Sequence, residues 1–484
     1  MVGTFNANGS GGITGGVLDL NDAAFPASSI SPVANSPVSG GSYILGVDGR
    51  GQIKLNTSTP FQSPIILDFV LQDSGHGLVS EFDGNASGSG SLDLQSSSAT
   101  PTGSYAFIFS GAYSSAGAAN GVSFVTVGNF TLNAAAMIGL EDFNSSGIPL
   151  AAESLSGTFA LGPSSTPATQ ISATGSSNYA ITYDVIAVDA THLKFIEMDA
   201  NGTLSGDAFA QTSTTLPTGT LAFTLIGGTS QAVTAAGGFM VTDGNGNITS
   251  ASTEDINGTG GLVSTSPITF SGVYTAAGIS GGSGRYTLGP LTGFQGASEF
   301  AAYPSSGGVL LLELDNAGIM AGAAYPQTST AAPDPSQGYG LNLSGTNLGA
   351  STGQSAEVDD ITEFATAASG LTLTGITDEN FAPGGSPNYA LALSGSYTAP
   401  DSNGRGQLGA NAGNSNNSTL NGGFSVYFYT VDGTTFPFIE NDSGQISAGV
   451  FMKQSSTASS SAATRSHLLV LPPVVHPRMA RKQN

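Results

Sequence analysis

Apolar segments alternate with short turns along the whole chain, most plainly in residues 96–211. There the apolar-rich segments fall at 103–113, 121–132, 137–143, 154–161, 168–174, 178–189, 193–199 and 203–211. Gly, Asn, Asp, Ser or Pro interrupts them every 8–14 residues, which is typical of antiparallel all-β domains. The pattern predicts about eight strands arranged as a β-barrel or a β-sandwich. We favour the barrel because closure removes exposed sheet edges.

The segment FIEMDANGTLSGDAFAQ (195–211) occurs four times in the chain. Its relatives are LLELDNAGIMAGAAYPQ (311–327), FIENDSGQISAGVFMKQ (438–454) and the more divergent LVSEFDGNASGSGSLDLQ (78–95). The Glu lies at positions 81, 197, 313 and 440 and the final Gln at 95, 211, 327 and 454, so both series step by 116, 116 and 127 residues. This register predicts a tandem array of four homologous β units of about 115 residues each.

The repeats set the predicted domain boundaries. They are unit 1 (1–95), unit 2 (96–211), unit 3 (212–327), unit 4 (328–454) and a tail (455–484). Ser/Thr/Pro-rich segments follow each closing Gln and predict spacers between separately folded units, like beads on a string. Unit 4 has extra residues near 346–370, where 356–368 is interpreted as an inserted loop or a short helix. The low-complexity, basic tail is expected to be disordered.

Unit 1 lacks a counterpart of the opening strand found in later units, such as SYAFIFSGAY (104–113) in unit 2. Its first segment, 2–22, already matches 127–147 of unit 2. Met1 is followed by neither a basic nor an apolar stretch, so no signal peptide is present in this sequence. We expect the true start to lie upstream, together with an export signal.

Composition narrows the classes of partner. The formal net charge is −23, and four of the ten basic residues lie in the tail, which has no acidic residue. The four units are therefore strongly acidic and repel phosphate groups, so nucleic acid is not an expected partner. There is no Cys, so disulfides and thiolate sites are excluded. No apolar run reaches the roughly 18 residues of a transmembrane helix. The 69 glycines and 39% hydrophobic residues favour a folded, Gly-rich β body over disorder.

The repeated Glu-x-Asp motif is the first candidate site. Its members are Glu81/Asp83, Glu197/Asp199, Glu313/Asp315 and Glu440/Asp442. Two carboxylates on one face of a strand resemble a glycosidase acid/base pair or a metal site. We favour a structural role, in which Glu ends a strand and Asp bonds to turn amides, because an active pair rarely persists in every tandem unit.

Two further patterns suggest Ca²⁺, which is the only cofactor considered. The Asp-x-Asn motif occurs at Asp19/Asn21, Asp142/Asn144, Asp255/Asn257 and Asp378/Asn380. In DGNGNITSASTE (243–254), the residues Asp243, Asn245, Asn247 and Glu254 occupy positions 1, 3, 5 and 12 of a calcium-loop template. Asx turns are favoured over Ca²⁺ for the first pattern. A hairpin is favoured for the second, since Ile248 occupies the position where a calcium loop needs Gly.

Arginine recurs in three units although basic residues are rare. Arg50, Arg285 and Arg405 each follow an SGxY-like strand, and unit 2 has no counterpart. An Arg in an acidic domain is expected to bind a carboxylate bidentately at one end of the barrel. A ligand anion is the alternative partner.

Other catalytic patterns are missing from the repeat. We interpret His76 and His192 as lying at non-equivalent positions of their units, which excludes a repeated Ser-His-Asp or His-metal site. No P-loop or dinucleotide-binding motif occurs in a strand–helix context. Tyr427 and Tyr429 either stack on sugars or pack the barrel, and packing is favoured.

The order of motifs across residues 1–454 resembles a class of exported, Gly/Ser-rich β-repeat proteins of soil bacteria without an established activity. The resemblance implies β structure and an envelope or extracellular location, but no catalytic residues. We therefore expect a non-enzymatic surface or matrix repeat protein with an adhesive role and a glycan or protein partner at the cell surface. The alternative is a small-ligand or glycan-binding protein that uses barrel interiors or loop ends. A third hypothesis is an outer-membrane β-barrel built from all strands together.

Overall fold

The computed structural model shows an all-β protein. It describes residues 1–455 except 22–31, 59–63, 83–86, 97–99, 114–121, 162–167, 176–179, 200–201, 230–231, 278–282, 349–355, 369–370, 383–386 and 413–422. Within this part the strands form four successive antiparallel units, as the repeat predicts, and no helix is present. The expectation of a disordered tail concerns residues outside the described part.

Unit 1 is an open, 7-stranded antiparallel sheet in sequence order. Its strands are β1 (Val2–Ala7), β2 (Gly12–Leu20), β3 (Val33–Leu45), β4 (Arg50–Thr57), β5 (Ile65–Leu71), β6 (His76–Glu81) and β7 (Ser89–Asp93). No described pairing joins β7 to β1. Among the described residues, unit 1 therefore has one strand fewer than the closed barrels, at the place that the opening strand occupies in the later units.

Unit 2 is a closed barrel of eight strands, in which β15 pairs with β8. Its strands are β8 (Gly103–Tyr113), β9 (Val122–Asn133), β10 (Ala136–Ser145), β11 (Ile148–Leu161), β12 (Ala168–Gly175), β13 (Ala180–Ala187), β14 (His192–Glu197) and β15 (Ser205–Ala210). A hairpin turn joins the sixth and seventh strands, and in it Asp189 accepts the amides of Thr191 and His192.

Unit 3 is a 9-stranded sheet whose ends also pair, since β18 bonds to both β17 and β20. Its strands are β16 (Gly219–Thr229), β17 (Ala232–Thr242), β18 (Asn247–Gly258), β19 (Gly261–Leu262), β20 (Ile268–Ala276), β21 (Tyr286–Leu288), β22 (Phe300–Ser305), β23 (Gly308–Glu313) and β24 (Ile319–Pro326). The short β19 forms a hairpin with the end of β18, and the other eight strands form the circuit of the unit.

Unit 4 is a second closed, eight-stranded barrel. Its strands are β25 (Gly338–Asn347), β26 (Ala356–Thr366), β27 (Thr372–Ala382), β28 (Asn388–Tyr397), β29 (Arg405–Ala412), β30 (Gly423–Tyr429), β31 (Thr435–Glu440) and β32 (Gln445–Lys453). The prediction of a loop or helix at 356–368 is wrong, because this segment contains β26, which pairs with β25 and β27. Inward Val358 and Phe364 alternate with outward Ile361, the two-residue period of a strand.

Strand faces explain why the barrels form. In β8 the inward side chains Tyr105, Phe107 and Phe109 join a core formed within unit 2. The outward Ala106 and Ile108 belong instead to a buried cluster with members from all four units. Because both faces are apolar, the barrel wall is buried on its outside as well as its inside.

The units therefore pack against one another, and the prediction of separate beads is wrong. The first two strands of each unit lie on the last three strands of the next unit, as β16 and β17 lie on β31 and β32. Unit 1, which lacks its first strand, uses β1 against β14. Strands β25 and β26 of unit 4 lie on β5 and β6 of unit 1, so the contacts close into a ring. Strands pair within their own unit, which contradicts one barrel built from all strands.

No helix among the described residues is long and apolar enough to cross a membrane.

Candidate functional site

The repeated polar motifs converge at the interfaces between consecutive units. At the interface of units 2 and 3, Asp142 of the Asp-x-Asn motif binds Arg285 of the next unit. Arg285 Nε lies 2.7 Å from Asp142 Oδ2 and Arg285 Nη2 lies 2.5 Å from Asp142 Oδ1. The predicted bidentate Arg–carboxylate pair is thus confirmed, but its carboxylate comes from the preceding unit and is fully buried.

A tyrosine that the sequence analysis missed completes this group. Tyr303 Oη donates to Asp142 Oδ2 at 2.5 Å, and burial together with the adjacent carboxylate raises the Tyr303 pKa well above its ordinary value. Asp142 Oδ1 also accepts the Ala152 amide at 2.8 Å. The carboxylate therefore has hydrogen-bond donors on both oxygens, which a buried charge requires.

The Asn of the motif binds the Glu-x-Asp hairpin of the next unit. Asn144 Nδ2 donates to the carbonyls of Glu313 and Gly318, at 3.1 and 2.8 Å. These carbonyls lie on either side of the hairpin turn. The Asp-x-Asn motif thus holds two elements of the following unit, the Arg strand through Asp and the hairpin through Asn.

The interface of units 3 and 4 repeats this arrangement. Arg405 Nε and Nη2 bind Asp255 at 2.7 and 2.8 Å, and Tyr429 Oη donates to Asp255 Oδ2 at 2.8 Å. Asn257 Nδ2 lies 2.9 Å from the carbonyl of Glu440. The same contacts occur in both interfaces, so the Asp-x-Asn motif joins each of these units to the next one.

The interface of units 4 and 1 closes the ring with the same residue types. Arg50 Nη1 lies 3.4 Å from Asp378 Oδ2, and Asn380 Nδ2 donates to the Glu81 carbonyl at 2.6 Å. Arg50 and Asp378, which are 328 residues apart in the sequence, therefore make one contact where the other interfaces have a bidentate pair, since Arg50 Nε binds Asp48 of its own unit at 3.1 Å.

The closing Gln of each repeat also binds the next unit. Its amide donates to a carbonyl near the end of the third-last strand of that unit in all four cases. The pairs are Gln95 with Ala187, Gln211 with Pro304, Gln327 with Thr430 and Gln454 with Leu71. The invariant spacing of this Gln is explained by these contacts between units.

The interface of units 1 and 2 departs from the rule. Asn21 Nδ2 still binds the carbonyls of Glu197 and Gly202 at 2.7 Å each. Unit 2 has no counterpart of the Arg, and Asp19 Oδ2 has no hydrogen-bond partner among the described residues. Burial raises the pKa of Asp19, and burial together with Asp19 raises the pKa of Asp184 to about 6.

A buried ionic cluster is specific to this interface. Lys194 Nζ lies 2.9 Å from Asp93 Oδ2 of unit 1 and 3.3 Å from Asp207 Oδ1 of unit 2. His76 Nδ1 lies 2.5 Å from Asp93, and His192 Nε2 lies 2.7 Å from Asp207. The outward position of Lys194 is occupied by Leu78 in unit 1 and Leu310 in unit 3, so ions replace an apolar contact here.

The judgement that His76 and His192 are non-equivalent is wrong. Each begins its strand and lies five residues before the Glu of the repeated motif. Counting back from Glu81 and Glu197 would have revealed this. Both imidazoles reach the cluster through a carboxylate, His76 through Asp93 and His192 through Asp207.

The cluster resembles a Ser–Lys catalytic dyad in one distance only. Ser91 Oγ lies 2.5 Å from Lys194 Nζ, but a general base must be neutral. Burial alone would lower the Lys194 pKa, yet Asp207 and Asp93 raise it above its usual value. The ammonium therefore stays charged, and the arrangement fits an ionic bridge between units.

Three of the four Glu residues of the Glu-x-Asp motif are fully buried, namely Glu197, Glu313 and Glu440. Burial, with the adjacent Asp, raises the pKa of both Glu197 and Glu313 to about 9. Burial therefore favours the neutral form of these two carboxyls at pH 7. Asp83 lies outside the described residues.

Two Asp residues of the motif bond to turn amides, as expected. Asp315 Oδ1 accepts the Ala317 amide at 2.8 Å, and Asp442 Oδ1 accepts the Gly444 amide at 2.8 Å. Asp199 Oδ2 instead accepts the amide of Thr182 in strand β13, at 3.0 Å. These bonds fix the hairpin that the preceding unit binds.

The calcium-loop hypothesis for 243–254 is wrong. Asp243 Oδ1 accepts the amides of Asn245 and Asn247, at 2.7 and 2.9 Å, in an exposed β17–β18 turn. Glu254 is instead buried in β18 and accepts the Gln295 amide at 2.7 Å. The described residues include no group of three or more His, Asp or Glu arranged to hold a metal ion.

Unit 4 contains an acidic pair that the sequence analysis missed. Asp360 of β26 and Glu379 of β27 lie opposite each other and are almost fully buried. Burial and the mutual charge raise the pKa of Asp360 well above its ordinary value, and burial raises that of Glu379 to about 7. Unit 2 has Thr126 and Phe143 at these two positions.

Tyr427 and Tyr429 pack within the protein. Tyr429 is fully buried and Tyr427 nearly so, and the Arg405 guanidinium lies 3.7 Å from the Tyr427 ring centroid. Sugar stacking by these two rings is therefore wrong.

No protein-family model matches this chain, and no curated protein is significantly similar to it.

Proposed function

We propose that the protein is a non-enzymatic, exported surface or matrix protein whose ring of β units presents adhesive turns. The observation that carries this proposal is the β3–β4 hairpin of unit 1. Its successive apolar residues Ile44 and Leu45 are 69% and 51% exposed, and Val47 is fully exposed. Clustered exposed apolar side chains mark contact surfaces, and here they project from a body with a net charge of −23.

The use of the polar motifs supports a non-enzymatic role. The repeated Asp, Asn, Arg and closing Gln residues bind the neighbouring unit, and the buried Glu residues face barrel interiors. The alternative of ligand binding inside the barrels has less support. In unit 2 Phe107, Phe109 and Phe195 stack within the interior, with ring centroids 4.6 and 4.7 Å apart. A rigid platform with contacts at its turns agrees better with this distribution.

Location is tested first, by fractionating native cells and identifying the N-terminal peptide of the protein by mass spectrometry. The proposal expects the protein in the envelope or the medium. Recovery in the cytoplasm would overturn the exported role.

Adhesion is tested by adsorption of the purified full chain to native cell surfaces and to an apolar surface. The variant Ile44→Ser/Leu45→Ser/Val47→Ser is expected to adsorb about tenfold less, because the apolar contact area is removed. Leu371→Ser, at another exposed apolar residue, is the matched control and is expected to adsorb normally. Equal adsorption of the triple variant and the control would contradict the adhesive role of the hairpin.

A further inference from the structure

The open edge of unit 1 is a gap of one strand, bounded by β1 (Val2–Ala7) and β7 (Ser89–Asp93). Elsewhere in the ring this place is filled by the opening strand of the unit. In unit 2, β8 lies between β15 and β9, and in unit 4, β25 lies between β32 and β26. Unpaired edges leave backbone donors and acceptors free and favour the addition of a strand.

The interior side chains beside the gap are less buried than their counterparts in unit 2. Phe5 aligns with Phe130 of unit 2, which is buried and lies 5.7 Å from the ring of Tyr105 and 5.8 Å from that of Phe107, both on the opening strand. Phe5 has no such strand beside it among the described residues and is only partly buried. Leu94, directly after β7, is 64% exposed. The missing strand would cover both side chains.

The end of unit 4 directs the chain toward this gap. The Ser455 amide donates to the Gln72 carbonyl of unit 1 at 2.8 Å. The Ser96 amide makes the same contact with Val188 of unit 2, and the Thr328 amide with Val431 of unit 4. After Ser96 and Thr328 the chain enters the opening strand of the unit it has just contacted. Ser455 is in the corresponding position relative to unit 1, with residues 456–484 following it.

The sequence after Ser455 contains a match to the opening strand. SHLLVLPPVV (466–475) aligns with SYAFIFSGAY (104–113), after a Ser-rich stretch similar in length to 328–337. In this alignment apolar residues fall on both faces, as they do in β8. His467, Leu469 and Leu471 take the inward places of Tyr105, Phe107 and Phe109, and Leu468 and Val470 take the outward places of Ala106 and Ile108.

The two polar features of this segment fit the ends of the strand. His467 takes the place of Tyr105, whose hydroxyl bonds to the Ala190 carbonyl at 2.9 Å at the barrel end. The β8–β9 register, transferred to unit 1, places residue 470 opposite Val2. Pro472 and Pro473 then lie beyond the β1 pairing, where a missing N–H removes no bond to β1.

We propose that residues 466–475 insert between β7 and β1 as the eighth strand of unit 1. Both ends of the chain then share one barrel, and strand pairing in that barrel holds the ring closed. This proposal replaces the expectation that the whole tail is disordered, and it does not depend on the adhesive function.

The first test uses engineered disulfides in the full chain, which has no Cys of its own. The register places residue 467 beside Leu94 and residue 468 beside Thr4. Leu94→Cys/His467→Cys and Thr4→Cys/Leu468→Cys are expected to form intramolecular disulfides on mild oxidation. The control Leu94→Cys/Leu468→Cys differs by one residue, which turns the side chain to the opposite face, and is expected to stay reduced. Cross-links between two molecules, or equal reactivity of all three variants, would overturn the proposal.

The second test measures hydrogen exchange of the amides in β1 and β7 without cross-linking. Leu469→Asp/Leu471→Asp places two charges in the barrel interior and is expected to speed exchange of these amides about tenfold or more, with β9 and β15 unchanged. Ser459→Asp/Ser460→Asp, which adds the same charge before the strand, is the control and is expected to leave exchange unchanged. Exchange in the Leu variant equal to that of the unsubstituted protein would show that another segment, upstream or from a partner, fills the gap.

Discussion

At the scale of single residues, the protein depends on buried polar groups that are satisfied only across an interface. Asp142 lies in unit 2, while Arg285 and Tyr303, which bind it, lie in unit 3. Burying a charge is costly unless it is paired and hydrogen-bonded, so the loss of one partner leaves the full desolvation cost of the other.

Arg285→Met is predicted to lower the free energy of unfolding by about 3 kcal/mol, because it leaves Asp142 buried and unpaired. The measurement is urea denaturation at pH 7. Lys453→Met, which removes an exposed ion pair with Asp334, is the control and is expected to cost less than about 1 kcal/mol. Arg285→Met/Asp142→Leu is expected to recover part of the loss. Equal effects of the two single variants would contradict the role assigned to the buried pair.

The buried Glu residues predict a pH dependence with a definite sign. The pKa of Glu313 rises from an ordinary value of 4.5 to about 9 in the folded protein. Its neutral form is therefore favoured by folding, and the stability it confers is complete below about pH 4.5 and is lost as pH rises toward 9. We expect the free energy of unfolding to fall between pH 5 and 9 by at least about 1 kcal/mol for this carboxyl.

Glu313→Gln tests this dependence, because Gln keeps a donor for Asp315 and does not ionise. The variant is expected to show a shallower decline in stability across pH 5–9, measured by thermal melts in a pH series. Asp243→Asn, in an exposed turn, is the control and should keep the slope of the unsubstituted protein. A slope unchanged by Glu313→Gln would show that this carboxyl does not titrate as proposed.

At the scale of elements, the first two strands of each unit pack on both faces, inward against their own barrel and outward against the next unit. Gly237 of β17 faces Tyr429 of unit 4, whose ring carbon lies 2.4 Å from where a Cβ would be. The outward faces of these strands therefore carry small residues where the next unit inserts an aromatic ring. This close approach explains a glycine in the middle of a strand.

Gly237→Ala is predicted to destabilise the protein by about 1–3 kcal/mol, because the methyl group overlaps the Tyr429 ring. Gly260→Ala, in a turn with no atom within 4 Å of the added Cβ, is the control and is expected to change stability by less than about 0.5 kcal/mol. Thermal and urea unfolding provide the measurement. Equal stability of the two variants would show that the interface adapts to the added volume.

At the scale of the whole molecule, the four units form one ring with a shared buried cluster. Each unit contributes outward apolar residues to it, such as Val70 from unit 1 and Ile361 from unit 4. Each unit is therefore expected to be incompletely stable without its neighbours, in contrast with a chain of independent domains.

Residues 96–211 produced alone are predicted to aggregate or to melt well below the full chain. Ala106, Ile108, Val125 and Val127, which are buried in the ring, become exposed in the fragment. Light scattering after size-exclusion chromatography and thermal melts by circular dichroism provide the test. A soluble monomer that melts with the full chain would restore the model of separate domains.

Much of the local structure was predictable from the sequence because it depends on local patterns. Apolar segments interrupted by turn residues identified the strands, the Asx turns followed from Asp and Asn in turns, and the 116-residue register identified the units. The role of the Arg was also foreseen in part, since a rare cation among many acids needs a carboxylate. The segment 356–368 was misread because its run of acidic residues obscured the alternation of Val358 and Phe364 with Ile361.

The sequence by itself thus determined the strands and the four units, because the spacing of turns and the register of the repeat can both be read along the chain. Only the tertiary structure decided which residues meet. Arg50 Nη1 lies 3.4 Å from Asp378 Oδ2, although the two residues are 328 positions apart in the sequence. No local sequence pattern specifies such a pair. The outward faces of the barrels determine these contacts. These outward faces are apolar. An apolar face is compatible both with a strand buried inside one domain and with a barrel wall that packs against a second unit.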